Sequence, residues 1–70
     1  MDIYEYNNLL FKDYPDIVNV EQLQTMLNIK RTKAYELLKN GQIKSIRIGR
    51  DYKIAKINVI RYLQGEDIAQ

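Results

Sequence analysis

Residues 19–41 read "NVEQLQTMLNIKRTKAYELLKNG" and carry the signals of two short helices joined by a tight turn. Asn19 with Gln22 three positions later is the pattern of a capping box, in which each side chain bonds the backbone of the other residue. The apolar positions that follow form one helical stripe: Val20, Leu23, Met26 and Leu27. Asn28 is typical of the left-handed residue that ends a helix, so the first helix is predicted to stop there.

A second helix is predicted from about Arg31 to Lys39, with the Asn40-Gly41 pair as its stop. Its apolar face consists of Ala34, Leu37 and Leu38. Two short helices joined by a three- or four-residue turn are the outline of a helix-turn-helix. Many small helical domains share this outline, so the outline alone does not indicate DNA binding. The charges on the second helix provide further evidence.

Three cations crowd the start of this second helix: Lys30, Arg31 and Lys33. Each is unfavourable there by about 0.3–1 kcal/mol, because the N-terminus is the positive end of the helix dipole. A single cation at this position is best explained as solvated surface. Three within four positions favour a recognition helix, whose N-terminal residues face the major groove of DNA and the flanking phosphates.

Residues 43–54, "IKSIRIGRDYKI", predict a β-hairpin. We expect a three-residue loop made of Gly49, Arg50 and Asp51. This loop places Ile48 opposite Tyr52, Arg47 opposite Lys53 and Ile46 opposite Ile54. The alternation of side chains along a strand then predicts a core face and a cationic face.

On that prediction the core face contains Ile46, Ile48, Tyr52 and Ile54, and the other face contains Ser45, Arg47 and Lys53. Like charges directly opposite each other repel, and a bound phosphate would relieve that repulsion. A second interpretation needs no ligand, because cations on an exposed ribbon also prevent edge-to-edge aggregation.

The remaining segments flank this unit. A short amphipathic helix is predicted from about Ile3 to Lys12, in an N-terminal extension of residues 1–16 that packs on the domain. A last helix is predicted from about Lys56 to Leu63, with its apolar side chains at Ile57, Ile60, Tyr62 and Leu63. Residues 17–64 then form the domain, and residues 65–70 are expected to be a frayed tail.

Composition limits the function classes. The 70 residues contain no Cys and no His, which excludes disulfides, thiolate or imidazole metal sites, and catalysis by Ser-His-Asp or Cys-His groups. No apolar run approaches the roughly 20 residues of a membrane span, and we expect a cytoplasmic protein. Residues 30–63 carry ten Lys or Arg and only two acids, although the whole chain has a net charge of only +2. Such a concentration of positive charge in one segment is typical of a protein that binds a polyanion.

The order of helix, turn, basic helix, basic hairpin and helix resembles the excisionase-type winged helix-turn-helix family, which is related to the DNA-binding region of MerR-type regulators. The resemblance covers about residues 17–63, and its most specific segments are "AYELLKNGQI", "IRIGRDYKI" and "NVIRYL". The sequence departs from the family at three positions: Lys30 replaces a capping Ser or Thr, Asn28 a common Gly, and Ala55 a common Pro. The expected fold is mainly α with a small β-hairpin wing.

The resemblance implies binding of double-stranded DNA without catalysis, cofactor, metal or small-molecule substrate. The second helix would enter the major groove, and the wing would reach the adjacent backbone or minor groove. Eight residues are the candidates for DNA contact: Lys30, Arg31, Thr32, Lys33, Tyr35, Arg47, Arg50 and Lys53. Arg31 is the leading candidate for reading bases, because an arginine can form two hydrogen bonds with guanine.

Several functions remain open. Excisionases bend attachment-site DNA and contact a tyrosine integrase, whereas other members of the family regulate transcription. A single module covers little DNA, so we also expect cooperative self-association or contact with a partner protein. The Tyr- and Leu-rich N-terminal segment could instead make the chain a protein-interaction module. RNA binding is disfavoured, because the aromatic residues do not form a stacking platform on one sheet.

Overall fold

The computed structural model describes residues 11–65 of the chain. This part contains β1 (Ile17–Val18), α1 (Val20–Leu27), α2 (Arg31–Lys39), β2 (Ile46–Ile48), β3 (Asp51–Ala55) and α3 (Lys56–Gln64). The predicted helix at Ile3–Lys12 lies outside the described residues except for Phe11 and Lys12, which belong to a turn closed by Tyr14 N–H donating to Phe11 O at 2.9 Å. Residues 66–70 of the predicted tail also lie outside the described part.

Helix α1 begins with the predicted capping box. The backbone N–H of Gln22 donates to Asn19 Oδ1 at 2.8 Å, and the backbone N–H of Asn19 donates to Gln22 Oε1 at 2.9 Å. At the other end, Asn28 has φ 55° and ψ 51°, the left-handed conformation expected at this position. The cap and the stop of α1 are therefore both confirmed.

Helix α2 follows after a short turn and spans the predicted residues. Ala34, Leu37 and Leu38 are buried and pack it against α1 and the sheet. Its N-cap is Lys30, whose side chain makes no capping hydrogen bond, and no acid occupies the first turn. Gly41 continues the exit from the helix with φ 81°, a conformation that a residue with a Cβ rarely adopts.

The three strands form one antiparallel sheet with the order β1-β3-β2. Strand β1 was not predicted, because two residues are too few to show a periodic pattern. It places Val18 opposite Ile54 and Ile17 opposite Ala55. Val18 and Ile54 are both buried, so this pairing closes the core on the side away from the hairpin tip.

Lys56 fastens the chain entering the domain to the start of α3. Its backbone N–H donates to Asp16 O at 2.7 Å, and its Nζ donates to Tyr14 O at 3.0 Å and to Phe11 O at 3.4 Å. The Lys56 side chain is partly buried in this position. One cation of the basic segment therefore has a structural task.

The apolar face of α3 differs from the prediction. Val59 and Ile60 are fully buried, whereas Ile57 and Leu63 are exposed. The helix follows β3 with no loop residue between them, so the end of the strand sets its rotation. Periodicity alone could not supply that rotation, because apolar side chains occur around much of this helix.

The core lies between the helices and one face of the sheet. Its buried apolar members are Val18, Val20, Leu23, Ala34, Leu37, Leu38, Ile43, Tyr52, Ile54, Val59 and Ile60. No described helix has the length and apolar character needed to cross a membrane. Three helices with a basic hairpin on a small antiparallel sheet form a winged helix-turn-helix fold, as predicted.

Candidate nucleic-acid interface

The hairpin has a different register from the predicted one. Its loop contains two residues, Gly49 and Arg50, instead of three. The paired residues are Ile46 with Lys53, Arg47 with Tyr52, and Ile48 with Asp51. Gly49 has φ 62° and occupies the first central position, which is the pattern of a type II′ turn. Such turns match the twist of the two strands. Asp51, which the predicted loop included, belongs to β3 and pairs with Ile48.

The register exchanges the two faces of β2, because a slip of one residue moves every side chain to the opposite face. Ile46 and Ile48 are therefore not core residues but are 65% and 60% exposed, on the outer face with Lys53. Arg47 lies on the inner face with Tyr52. The prediction that Arg47 lies opposite Lys53 and is repelled by it was wrong, because the two side chains lie on opposite faces of the hairpin.

Arg47 and Arg31 approach the two sides of an aromatic pair. The Arg47 guanidinium carbon lies 5.3 Å from the centre of the Tyr52 ring. The Tyr52 and Tyr35 rings meet at 5.8 Å with an interplanar angle of 61°. The Arg31 guanidinium carbon lies 5.2 Å from the Tyr35 ring centre, and Arg31 Nη2 donates to Tyr35 Oη at 3.1 Å. We call this row Arg31-Tyr35-Tyr52-Arg47 the tyrosine bridge.

The tyrosine bridge holds two cations without neutralising them. A cation that contacts an aromatic ring at an exposed site is stabilised by about 0.5–1 kcal/mol. Within residues 11–65 the one ion pair joins Lys33 Nζ to Glu36 Oε2 at 3.8 Å, and both of its side chains are more than half exposed. Arg31 and Arg47 thus have no carboxylate partner in the described part of the chain. Among residues 11–65, nothing else pairs with their charge or with most of their N–H donors, so these groups can meet an anion.

The step of 100° per residue determines on which side of α2 each of its other exposed residues lies. Thr32, Glu36 and Lys39 lie opposite the buried face and point away from the core. With Tyr35 and Asn40 they line a shallow open groove. Lys33 lies on the flank away from Arg31, where it pairs with Glu36, as the spacing of three residues allows.

The structure thus unites some of the eight candidates and separates others. Arg31, Tyr35 and Arg47 come together in the tyrosine bridge, and Thr32 lies beside them on the outward face. Lys30 marks the uncapped start of α2, and Arg50 lies in the hairpin turn. Lys53 is on the outer face of the hairpin and Lys33 on the far flank of the helix. Contact of these residues with DNA remains a prediction.

Two residues of this surface were missed in the sequence. Lys39 was missed although it follows Thr32 and Glu36 at helical spacing, so a helical projection of α2 would have found it. For Tyr52, the alternation of the hairpin predicts only a core position. Its contact with Arg47 depends on the hairpin register, and its contact with Tyr35 depends on how the hairpin packs on α2, so no local pattern indicated its role.

Comparison with known proteins agrees with this geometry. The family model for the helix-turn-helix domain matches residues 17–67, which is most of the chain. No curated protein and no solved structure gave a match to the sequence. The matched residues contain α1, the turn at Asn28, α2, the hairpin and α3. The chain therefore belongs to the helix-turn-helix domain family and is a DNA-binding protein of that family.

Proposed function

We propose that the protein binds a specific sequence of double-stranded DNA, with α2 in the major groove and the β2-β3 hairpin against the adjacent backbone or minor groove. The observation that supports this proposal is the tyrosine bridge. It links an arginine of α2 to an arginine of the hairpin through one continuous row of ring contacts, and neither arginine is neutralised by a described carboxylate. Two separate elements can therefore engage one polyanion.

The candidate residues divide into two kinds of contact. Arg31, in the first turn of α2, is proposed to read a guanine, a contact worth about 1–3 kcal/mol of discrimination. Thr32, next to it on the outward face, is proposed to contact a neighbouring base edge. Lys30, Lys33, Arg47 and Arg50 are proposed to bind phosphates, which adds affinity without sequence preference. Lys53, on the outer face, would reach only a backbone that passes on that side of the hairpin.

We further propose that the protein is an excisionase of a mobile element. The support is the resemblance of "AYELLKNGQI" and "IRIGRDYKI" to the second helix and wing of that family. In this role the protein would bend attachment-site DNA and assist a tyrosine integrase, without catalysing a reaction itself. Because one module covers only about 600–1,000 Å² of DNA, we expect it to bind cooperatively or with that integrase.

Binding to labelled duplexes tests the first part. Fluorescence anisotropy would compare duplexes from the attachment region of the element with shuffled duplexes and with RNA of the same length. We expect preference for one DNA duplex and a plot of log affinity against log salt that falls by about 0.9 for each phosphate neutralised. A slope near zero, or equal affinity for every duplex, contradicts the proposal.

A recombination assay tests the second part. The protein would be added to the tyrosine integrase of the same element and a plasmid that carries its attachment sites. An excisionase raises the yield of excised product, and Arg31→Ala should reduce that yield. Specific DNA binding without an effect on excision, together with a change in expression from a nearby promoter, would instead identify a transcription regulator.

A further inference from the structure

We propose that Tyr35 and Tyr52 are positioning residues, which hold Arg31 of α2 and Arg47 of the hairpin at a fixed separation before DNA arrives. This inference rests on the proposed DNA binding and adds the means by which helix and hairpin act as one unit. Neither tyrosine needs to touch DNA for this role. Each acts through the arginine beside it.

The helix side of the bridge depends on a hydroxyl group. Arg31 and Tyr35 are four residues apart, so their side chains lie next to each other on the surface of α2. One N–H of the guanidinium donates to Tyr35 Oη at 3.1 Å, and the exposed arginine has no other described partner. An arginine has five N–H donors in a planar fork. Fixing one of them orients the others, which remain available for a base or a phosphate.

The hairpin side depends on a buried ring. Tyr52 is only 8% exposed, so the core fixes its position, and Arg47 lies directly opposite it in the register. In the described part of the chain, strand β2 is at the edge of the sheet and pairs only with β3. The contact from Arg47 through Tyr52 to Tyr35 is therefore a side-chain route from this edge strand to α2. It supplements the backbone connection through the loop between them.

Such positioning lowers the cost of ordering side chains when a complex forms. This lower cost strengthens binding only to a duplex whose bases and phosphates are spaced to match the separation of the two arginines. Loose binding to any polyanion needs charge but not that separation. Loss of a tyrosine should therefore weaken specific binding more than non-specific binding, whereas loss of a phosphate contact should weaken both.

The first test compares Tyr35→Phe, Arg31→Ala and the double variant. Tyr35→Phe keeps the ring and removes only the hydroxyl. We expect a loss of affinity for the specific duplex of about threefold to tenfold, the range of one net hydrogen bond, and a change of less than about twofold for a shuffled duplex. In the Arg31→Ala background, Tyr35→Phe should have no further effect. An equal loss in both backgrounds and on both duplexes would mean that Tyr35 contacts DNA directly, and it overturns the inference.

The second test concerns the coupling of the two arginines. Independent sites give effects that multiply to within about twofold. We expect Arg31→Ala and Arg47→Ala to depart from this product by more than threefold on the specific duplex, and the departure to vanish in the Tyr35→Leu background. Tyr35 is only partly buried, so this variant should stay folded, which its thermal unfolding would verify. Multiplicative effects in the parent protein would show that the tyrosines do not couple the two sites.

The third test needs no DNA, so it separates this inference from the proposed function. Nitrogen-15 relaxation at Nε reports how rigid each arginine side chain is in the free protein. We expect Arg31 and Arg47 to be more ordered than Arg50 in the hairpin turn, and Tyr35→Phe to lower the order of Arg31 alone. If all three were equally mobile, the inference would fail even where specific DNA binding is found. If the order is as expected and no duplex binds, the proposed function fails and the positioning of the arginines stands.

Discussion

Arg47 faces Tyr52 across the hairpin, and its guanidinium carbon lies 5.3 Å from the centre of the tyrosine ring. This contact places a wing cation on the inner face, towards α2, instead of on the outer face beside Lys53. The position of Arg47 has two energetic consequences that can be measured separately. One concerns the stability of the hairpin and the other the affinity for DNA.

Arg47→Ala should lower the free energy of unfolding by about 0.5–1 kcal/mol, the range for a cation over an aromatic ring at an exposed site. It should also lower the dependence of DNA affinity on salt by about 0.9 in the logarithmic slope, because one phosphate contact is lost. Urea denaturation and anisotropy titrations at several salt concentrations would measure both. Arg61→Ala, on α3 and outside the candidate set, is the matched control. An unchanged slope in Arg47→Ala would remove Arg47 from the interface.

The corrected hairpin register predicts unequal effects of one substitution at three isoleucines. Ile46→Thr and Ile48→Thr should each change the free energy of unfolding by less than about 0.5 kcal/mol, because both side chains are exposed and Thr also favours strands. Ile54→Thr should cost at least about 2 kcal/mol, because it buries a hydroxyl in a packed core. Chemical denaturation of the three variants would show the difference. A cost at Ile46 equal to that at Ile54 would support the three-residue loop instead.

Helices α1 and α2 were predictable because their signals are local. The capping box joins Asn19 to Gln22, only three residues away, and the left-handed stop is a property of Asn28 itself. The bounds of α2 likewise follow from its buried triplet and the Asn40-Gly41 exit. Such features need no knowledge of the rest of the fold.

The hairpin register was not predictable in the same way. The sequence "IRIGRDYKI" alternates apolar and polar residues on both sides of the glycine, so a loop of two or three residues fits the pattern. The choice also depends on which side chains the core can accept. Tyr52 and Ile54 fill that space from β3, whereas β2 lies at the edge of the sheet and leaves its isoleucines exposed. The candidate site likewise has a part that local sequence predicts and a part that it does not. Arg31 and Tyr35 are neighbours along one helix, whereas the contact from Tyr35 to Tyr52 depends on tertiary packing.

Lys56 and Lys53 are predicted to have opposite roles although both belong to the basic segment. Lys56→Met keeps the aliphatic stem but loses the bonds from Nζ to Tyr14 O and Phe11 O. It should lower the free energy of unfolding by about 1–3 kcal/mol, the range for hydrogen bonds from a charged group, and leave the salt slope of DNA binding unchanged. Lys53→Met should leave stability within about 0.5 kcal/mol and reduce the slope if a backbone passes the outer face. Thermal unfolding and salt titrations of both variants would measure the two effects. A Lys56→Met variant with full stability and a reduced salt slope would contradict the structural role of Lys56.

Lys30 is predicted to trade stability for binding. It occupies the N-cap of α2 with φ −86° and ψ 166°, the backbone conformation of a capping residue, but makes no capping hydrogen bond. Lys30→Ser would supply a hydroxyl acceptor for the free N–H groups of the first turn and remove a cation from the positive end of the helix dipole. We expect the free energy of unfolding to rise by about 0.5–2 kcal/mol.

The same substitution should weaken DNA binding, with a loss of about 0.9 in the salt slope if Lys30 neutralises one phosphate. Lys30→Ala separates the two effects, because it removes the charge without adding a cap. It should therefore bind DNA as weakly as the serine variant but lack most of its added stability. A serine variant that is more stable and binds DNA with full affinity would show that the cation at Lys30 is not needed for binding. A serine variant with no added stability would instead show that the first turn of α2 cannot accept a side-chain cap.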